Sequence, residues 1–354
     1  QNHKPEQDDA VKLPQFKISI NEKKITSKSD IIGFKRGLKP NFRVKYKFEG
    51  NHGRDLKKLV QKKLINRQLI DFGSNGLMAI AEQHALTIGT CPKLFDGSKG
   101  VLGKGNFKAA SCSNVSFQTL YLAFNPSNAN YVAVAGLKEC VIITVDNNGK
   151  ASDQLAVDLS LEALADDIHI VGIAWIPGSQ VNLAIITNQF VKIFDLSKDV
   201  ICPIHYFSLL EDTVADISFK QNTETGDITM ILLATSGMLF AKTFGESDSG
   251  PCILTDVVPI DDCLVGQGGY SVHYSPVQDI TIVGFQDGKT FAGRLNSECT
   301  RFLWTFTMNQ PAAEDSYHSW IDIPTAPGAI ACRTKNDSVV AMLFDEDNLY
   351  VQVL

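Results

Sequence analysis

Paired metal ligands are missing from this sequence. Eight cysteines (Cys91, Cys112, Cys140, Cys202, Cys252, Cys263, Cys299, Cys332) and seven histidines (His3, His52, His84, His169, His205, His273, His318) are scattered, with no C-x-x-C and no H-x-x-x-H. Closed zinc sites bring their ligands in such pairs, so no structural metal is expected. Most of the cysteines lie inside apolar runs, as in Glu139-Cys140-Val141-Ile142. They read as reduced, buried, hydrophobe-like residues of a cytosolic protein. A disulfide framework is not expected, because 354 residues with 44% hydrophobic content can bury a large core unaided.

Long apolar runs are missing too. No stretch reaches the roughly 18 residues that a membrane-spanning helix needs. A secretory signal is absent: Gln1 stands first, and His3, Lys4, Glu6, Asp8 and Asp9 occupy the place of an apolar h-region. This opening predicts an excised or processed piece. No G-x-S-x-G elbow occurs, and Gly103-Lys104-Gly105-Asn106 lacks the phosphate-loop frame. Cys91 and Cys112, with His84 upstream, read as blade cysteines rather than a nucleophile pair. The acidic groups Asp166-Asp167, Asp261-Asp262 and Asp345-Glu346-Asp347 read as solvated loop charge. No catalytic residue and no cofactor is expected.

What is present is a repeat. An apolar strand ends in an aromatic and a turn, and three more short strands follow. The clearest unit runs through Leu120–Asn125, Tyr131–Gly136, Cys140–Asp146 and Leu155–Leu159, with turns at Asn125-Pro126 and Asn147-Asn148-Gly149. Further units begin near Leu69, Val171, Val214, Tyr270 and Trp320. The third of the six is followed by one read as Val214–Phe219, Ile228–Ala234, Met238–Thr243 and Cys252–Val258. Their first-strand aromatics are Phe72, Phe124, Trp175, Phe219 and Tyr274, with a sixth position near Asp322. Four short strands in each ~40–50 residues is the period of a propeller blade. The runs are rich in Val, Ile and Phe, which disfavours helices.

The fold expected is therefore all-β: a WD-repeat-like β-propeller with six readable blades in a six- or seven-bladed ring. Val191-Lys192-Ile193-Phe194-Asp195-Leu196 resembles the third strand of a WD repeat, with Phe for Trp. A seventh blade would draw on Phe16–Ile20 and Phe42–Phe48, or lie beyond Leu354. Residues 1–54 form a leading segment, read as a partial blade or packing arm, and 55–354 the propeller.

Charge divides the same way. Residues 1–70 carry 18 Lys+Arg against 7 Asp+Glu, and residues 71–354 carry 15 against 32. From Asp55 a short amphipathic helix is expected, with Leu56, Leu59, Val60 and Leu64 on one face. Lys57, Lys58, Lys62, Lys63 and Arg67 surround that face. Two readings stand. The lysines grip an acidic partner or calmodulin, or the apolar face packs on the propeller and the lysines are merely solvated. Nucleic acid is not an expected partner, because the acidic body repels phosphate.

Several stretches carry a resemblance: LVQKKLINRQLIDFGSNGLMAIAEQ, CPKLFDGSKGVLGK, AASCSNVSFQTLYLAFNPSNANYVAVAGLKEC and WIPGSQVNLAIITNQFVKIFDL. They resemble the propeller region of the giant pushover/calossin/BIG-type E3 ubiquitin ligases of the UBR-box N-recognin family. The likeness is dense from Asp55 to Leu196 and thinner beyond. It implies an N-degron and protein quality-control ligase that is calmodulin-binding and cytoplasmic, and in part nuclear. It also implies that this chain is a non-catalytic scaffold serving assembly, oligomer architecture or partner docking. The partners implied are proteins, namely other domains or subunits of the ligase, and calmodulin. The family's chemistry sits in a Cys/His zinc box and a zinc-bearing catalytic module. Neither pattern occurs here, so no family residue is carried over. Two other classes remain: a WD-type adaptor of another intracellular complex, and a propeller enzyme with a central-channel site, which would need His and Asp to converge at one mouth.

Overall fold

The computed structural model describes residues 68–353, apart from position 83 and the segments 91–94, 97–100, 103–107, 160–166, 246–247, 249, 259–267, 277–278, 287–288, 296–299, 308–317, 323–328, 335–338 and 345–348. The expected basic helix, with Lys57, Lys58, Lys62, Lys63 and Arg67, lies outside the described residues, as does segment 1–54. So do Phe16–Ile20 and Phe42–Phe48.

Among the described residues every element is a strand. Blade 1 comprises β1 (Ile70–Phe72), β2 (Leu77–Glu82), β3 (Ala85–Thr90) and β6 (Lys108–Asn114), with a small hairpin of β4 (Phe95–Asp96) and β5 (Val101–Leu102) between the last two. Blade 2 is β7 (Tyr121–Phe124), β8 (Tyr131–Ala135), β9 (Cys140–Val145) and β10 (Ala151–Val157). Blade 3 is β11 (Ile170–Trp175), β12 (Asn182–Thr187), β13 (Phe190–Asp195) and β14 (His205–Ser208). Blade 4 holds β15 (Val214–Gln221), β16 (Ile228–Ala234) and β17 (Leu239–Phe244). After the short strand β18 (Gly250–Ile253) comes blade 5, with β19 (Gly269–Ser275), β20 (Ile280–Phe285), β21 (Lys289–Leu295) and β22 (Thr300–Thr307). Blade 6 is β23 (His318–Asp322), β24 (Ala329–Thr334), β25 (Val339–Phe344) and β26 (Leu349–Val353).

The first strands β1, β7, β11, β15, β19 and β23 touch in that order, and β23 returns to β1. Among the described residues the ring is therefore closed by six blades, a WD-like β-propeller. Closure removes the exposed sheet edge that an open ring would leave.

Burial grades from the axis outward. The second strands are covered on both faces by neighbouring blades: Tyr131–Ala135, Asn182–Thr187 and Ile280–Phe285 are almost wholly buried. That is why they read as unbroken Val, Ile, Leu and Ala rather than as an alternating pattern. Outer strands see water. β6 alternates exposed and half-buried residues, and β10 is exposed along most of its length.

Phe194 and Asp195 close β13 as the WD-like dipeptide. Phe194 is fully buried. Asp195 does not simply turn out to water, as the dipeptide alone suggests; it is buried and holds the following turn. Its Oδ1 accepts from the Ser197 amide at 3.1 Å and the Ser197 hydroxyl at 2.6 Å, and Lys198 Nζ lies 2.9 Å from Oδ2.

Blade 4 departs from the expected pattern. The stretch after β17 was expected to add a fourth strand to its own blade over Cys252–Val258. Instead β18 pairs in parallel with β14, His205 opposite Gly250 and Ser208 opposite Ile253, making blade 3 five-stranded. Among the described residues an isolated bridge, Phe240 to Val257, returns the chain to β17. Gly250 has φ +114, where L side chains are strained, so glycine permits the crossing. Pro251 follows on the exposed edge, where its missing N–H costs no ladder bond and blunts further pairing.

The cysteines divide. Cys140 is buried, and burial pushes its thiol up to about 12. Cys112 and Cys202 are exposed, contrary to the buried reading, because the outer strand β6 and the loop after β13 face water.

Truncating a fully buried ring between two blades removes transfer energy and leaves a cavity. Phe194→Ala is expected to cost about 3–5 kcal/mol in chemical unfolding. Leu210→Ala, at a position 74% exposed, is expected to stay within about 0.5 kcal/mol.

Candidate functional site

The first strands set the chemistry of the axis. Aligned on their aromatics, the residue three places earlier is Leu69, Tyr121, Gly172, Asp216 and Ser271 in blades 1 to 5. In blades 3, 4 and 5 the pairing of first and second strands slips by one residue just before this position. Such a bulge re-aims the side chain that follows it. Asp216 Oδ1 would stand 3.9 Å from a Cβ placed on Gly172, and its charge reaches Tyr121 two blades away and His273 one blade on. These residues converge on the channel.

Asp216 is only partly exposed. Burial pushes its carboxyl up to about 7, against the pull of the Val272 and Ile217 amides and of His273. The Tyr121 phenol is raised well above its ordinary range, by burial first and then by the Asp216 charge. The hydroxyls of Tyr121 and Ser271 are buried without a protein partner.

The approach of Asp216 and His273 is what a central-channel enzyme reading needs. The hydrogen bonds give Asp216 another task. Its Oδ2 accepts from Val272 N of blade 5 at 2.9 Å, and its Oδ1 from Ile217 N at 2.9 Å. The same device recurs. Ser218 Oγ accepts from Tyr274 N at 2.9 Å, and Asp71 Oδ2 accepts from Phe124 N at 2.7 Å. Between blades 2 and 3, Trp175 Nε1 donates to Ala123 O at 3.0 Å. Each is a latch from one first strand to the next. Lys220 and Asp279 add an ion pair of 2.7 Å between blades 4 and 5, with Tyr274 donating its hydroxyl to the same oxygen.

A groove of about 1060 Å³ opens between blades 3 and 4. Ile176, Ile228 and Phe244 give it apolar walls, and Asn182, Asp195 and His205 give it a polar floor. Asn182 pairs with Asp195 across β12 and β13, and His205 with Ile193 across β13 and β14. With Ile193 and Asp195 two apart, all three polar residues share one sheet face. His205 is held by Phe244 at 5.0 Å between ring centroids. Its pKa is lowered by burial, opposed by a hydrogen bond to the Asp248 backbone. Its Nδ1 and the Asn182 Oδ1 are buried without a protein partner.

Among the described residues no three His, Cys, Asp or Glu side chains cluster to hold a metal ion. They contain no helix long and apolar enough to cross a membrane. The sequence-predicted Lys57, Lys58, Lys62, Lys63 and Arg67 fall outside the described residues, as do Cys91, Asp166, Asp261, Asp262 and Gly103–Asn106. Neither the channel convergence nor the groove was anticipated. Alignment of the blades on their aromatics was the available signal for the first.

No protein-family model matches the chain. Among curated proteins it is 38% identical over 299 residues to a probable E3 ubiquitin-protein ligase of Dictyostelium discoideum, covering 83% of this chain. It is 29% identical over 324 residues to the auxin transport protein BIG of Oryza sativa subsp. japonica, covering 89% of the chain. To the protein purity of essence of Drosophila pseudoobscura pseudoobscura it is 25% identical over 359 residues, covering 91%. The chain spans only 5%, 6% and 6% of the lengths of these relatives. These likenesses support a relation to the giant BIG-type proteins. Among solved structures, a chain of the mitotic checkpoint complex overlaps with TM-score 0.50 at 12% identity, over 82% of this chain and 78% of that one. BBS1N, solved in complex with ARL6DN, overlaps with TM-score 0.51 at 13% identity, over 82% and 81%. These two likenesses concern the fold alone.

A carboxyl whose folded value lies near 7 and whose ordinary value is 3.8 binds its proton more tightly in the folded ring. Its contribution is fully present below the ordinary value and is lost as pH rises through 7. Stability is therefore expected to fall between about pH 4 and pH 7, by up to about 1.4 kcal/mol per pH unit inside that window. Asp216→Asn is expected to flatten this slope in unfolding titrations. An unchanged slope in the variant contradicts the assignment.

Proposed function

We propose that this propeller is a non-catalytic docking and assembly domain of a giant E3 ubiquitin ligase. The observation that carries the reading is how the ring spends its polar side chains. Asp71, Asp216, Ser218 and Trp175 each use their hydrogen-bonding atoms on the neighbouring blade. A ring held this way is a rigid frame that presents turns and inter-blade grooves to other proteins. The 38% identity to a protein named as a probable E3 ligase supports the setting and favours it over an unrelated WD-type adaptor.

The finer reading follows the resemblance. The ligase would serve N-degron and protein quality-control substrates through a UBR box outside this chain. It would act in the cytoplasm, and in part in the nucleus, and this propeller would contribute to an oligomeric assembly. The basic stretch with Lys57, Lys58, Lys62, Lys63 and Arg67 is the part suited to calmodulin or another acidic partner.

The convergence of Asp216 and His273 favours a second reading, a channel enzyme. Against it, both Asp216 oxygens already accept backbone amides.

Incubated with ubiquitin-charged conjugating enzymes, the chain is expected to leave their thioester half-lives unchanged; discharge above the buffer rate contradicts the non-catalytic reading. Removing residues 68–353 from the full-length ligase is expected to delete a distinct set of partners from affinity-purified complexes. An unchanged partner set contradicts docking.

A further inference from the structure

The groove between blades 3 and 4 has features that closing the ring does not require. The turn after β11 and the loop after β13 bound it on blade 3, and Phe244 and Gly245 with Gly250 and Pro251 of β18 bound it on the other side. The strand exchange therefore makes the groove: if β18 stayed on its own blade, Gly250 and Pro251 would not stand at its mouth. The floor is unusual in being rich in acceptors. The His205 ring hydrogen-bonds to the Asp248 backbone, and Nδ1 is the nitrogen without a protein partner. Burial favours the neutral ring, whose unprotonated nitrogen is an acceptor. Asn182 Oδ1 is a second acceptor without a protein partner on the same sheet face. The Asp195 carboxylate is the third group on that face.

We propose that this groove binds an arginine-bearing extended segment of a partner protein, with the guanidinium seated over Asn182, Asp195 and His205. Three observations choose this occupant. First, buried acceptors without partners call for a ligand that brings donors, and the planar five-donor fork of arginine can serve several acceptors at once. Second, the chain supplies a resident example of the interaction: Lys198 Nζ sits 2.9 Å from Asp195 Oδ2. That side chain is 75% exposed, and so exposed an ion pair is worth little, which leaves it displaceable. Third, the net charge of residues 71–354 is −17, so the body draws basic segments towards it. Ile176, Ile228 and Phe244 offer apolar wall for the methylene stem of the arginine. A volume near 1060 Å³ exceeds one side chain, which is why an extended segment rather than a free amino acid is the natural occupant.

The inference rests on the docking reading and fails separately from it. The test is a fluorescence-polarisation titration of the full chain with a labelled Gly-Ser-Ala-Arg-Ala-Ser-Gly peptide. Parallel titrations replace arginine with citrulline, which keeps N–H donors but loses the charge, or with glutamate. The arginine peptide is expected to bind, citrulline to weaken binding about tenfold or more, and glutamate to abolish it. His205→Phe removes the acceptor and is expected to weaken binding to a similar degree. Because that residue packs on Phe244, Ile228→Lys, at a half-exposed wall position, serves as the second variant and is expected to block the groove. Binding of the arginine peptide that both variants leave unchanged reveals general attraction to an acidic surface and overturns the proposal. Equal binding of the glutamate peptide, or no binding of the arginine peptide, overturns it as well. Those outcomes leave untouched the partner set lost on deleting the propeller, which reports on docking alone.

Discussion

A ring of sheets must solve one problem before any other. Each first strand pairs with its own second strand on one side, and its other edge faces the crowded axis. The amides on that edge alternate along the strand, and water reaches them poorly. Here the preceding blade supplies the acceptors. Phe124 N finds Asp71, Val272 N finds Asp216 and Tyr274 N finds Ser218, while Leu122 N is taken by the Gln68 carbonyl. A buried amide left alone costs roughly 1–3 kcal/mol, so these latches decide whether the ring closes. The apolar layers between blades then supply most of the burial energy, with Phe194 and Phe285 fully enclosed.

The latches also explain why acidic groups stand near the axis without implying chemistry. Burial pushes the Asp216 carboxyl up to about 7, against the pull of the amides it accepts. The exchange of β18 is a second solution to an edge problem. It covers β14 and ties blade 4 to blade 3, and it leaves a groove in whose floor Asn182 Oδ1 and His205 Nδ1 have no protein partner. Rigid frame and open groove thus arise from the same chain path.

The blades were legible because strands sandwiched between neighbours must be apolar on both faces. Ile280–Phe285 could be read from composition alone, and the structure has the same bounds. The turn glycines and prolines marked the rest. The crossing of β18 was hidden, because Cys252–Val258 is a plausible fourth strand by every local measure; only the pairing of Gly250–Ile253 with His205–Ser208 shows otherwise. The axial residues were hidden for a related reason. Tyr121, Gly172, Asp216 and Ser271 share a place in the repeat but not a residue type. Asn182, Asp195 and His205 come from three strands and meet only when the sheet forms. Cys112 lies on the outer strand of its blade, whose place at the water-facing edge a local run of residues does not reveal.

The central claim is that six blades close one ring, with first strands in contact all round it and latched by side chains between blades 1 and 2, 2 and 3, and 4 and 5. Hydrogen exchange of the native chain, followed by mass spectrometry of its peptides, tests it most directly. Closure predicts that β1 and β23 are protected together with β7, β11, β15 and β19, and that all open as one cooperative unit. Early, independent exchange of β1 or β23, ahead of the other first strands, would contradict a closed ring.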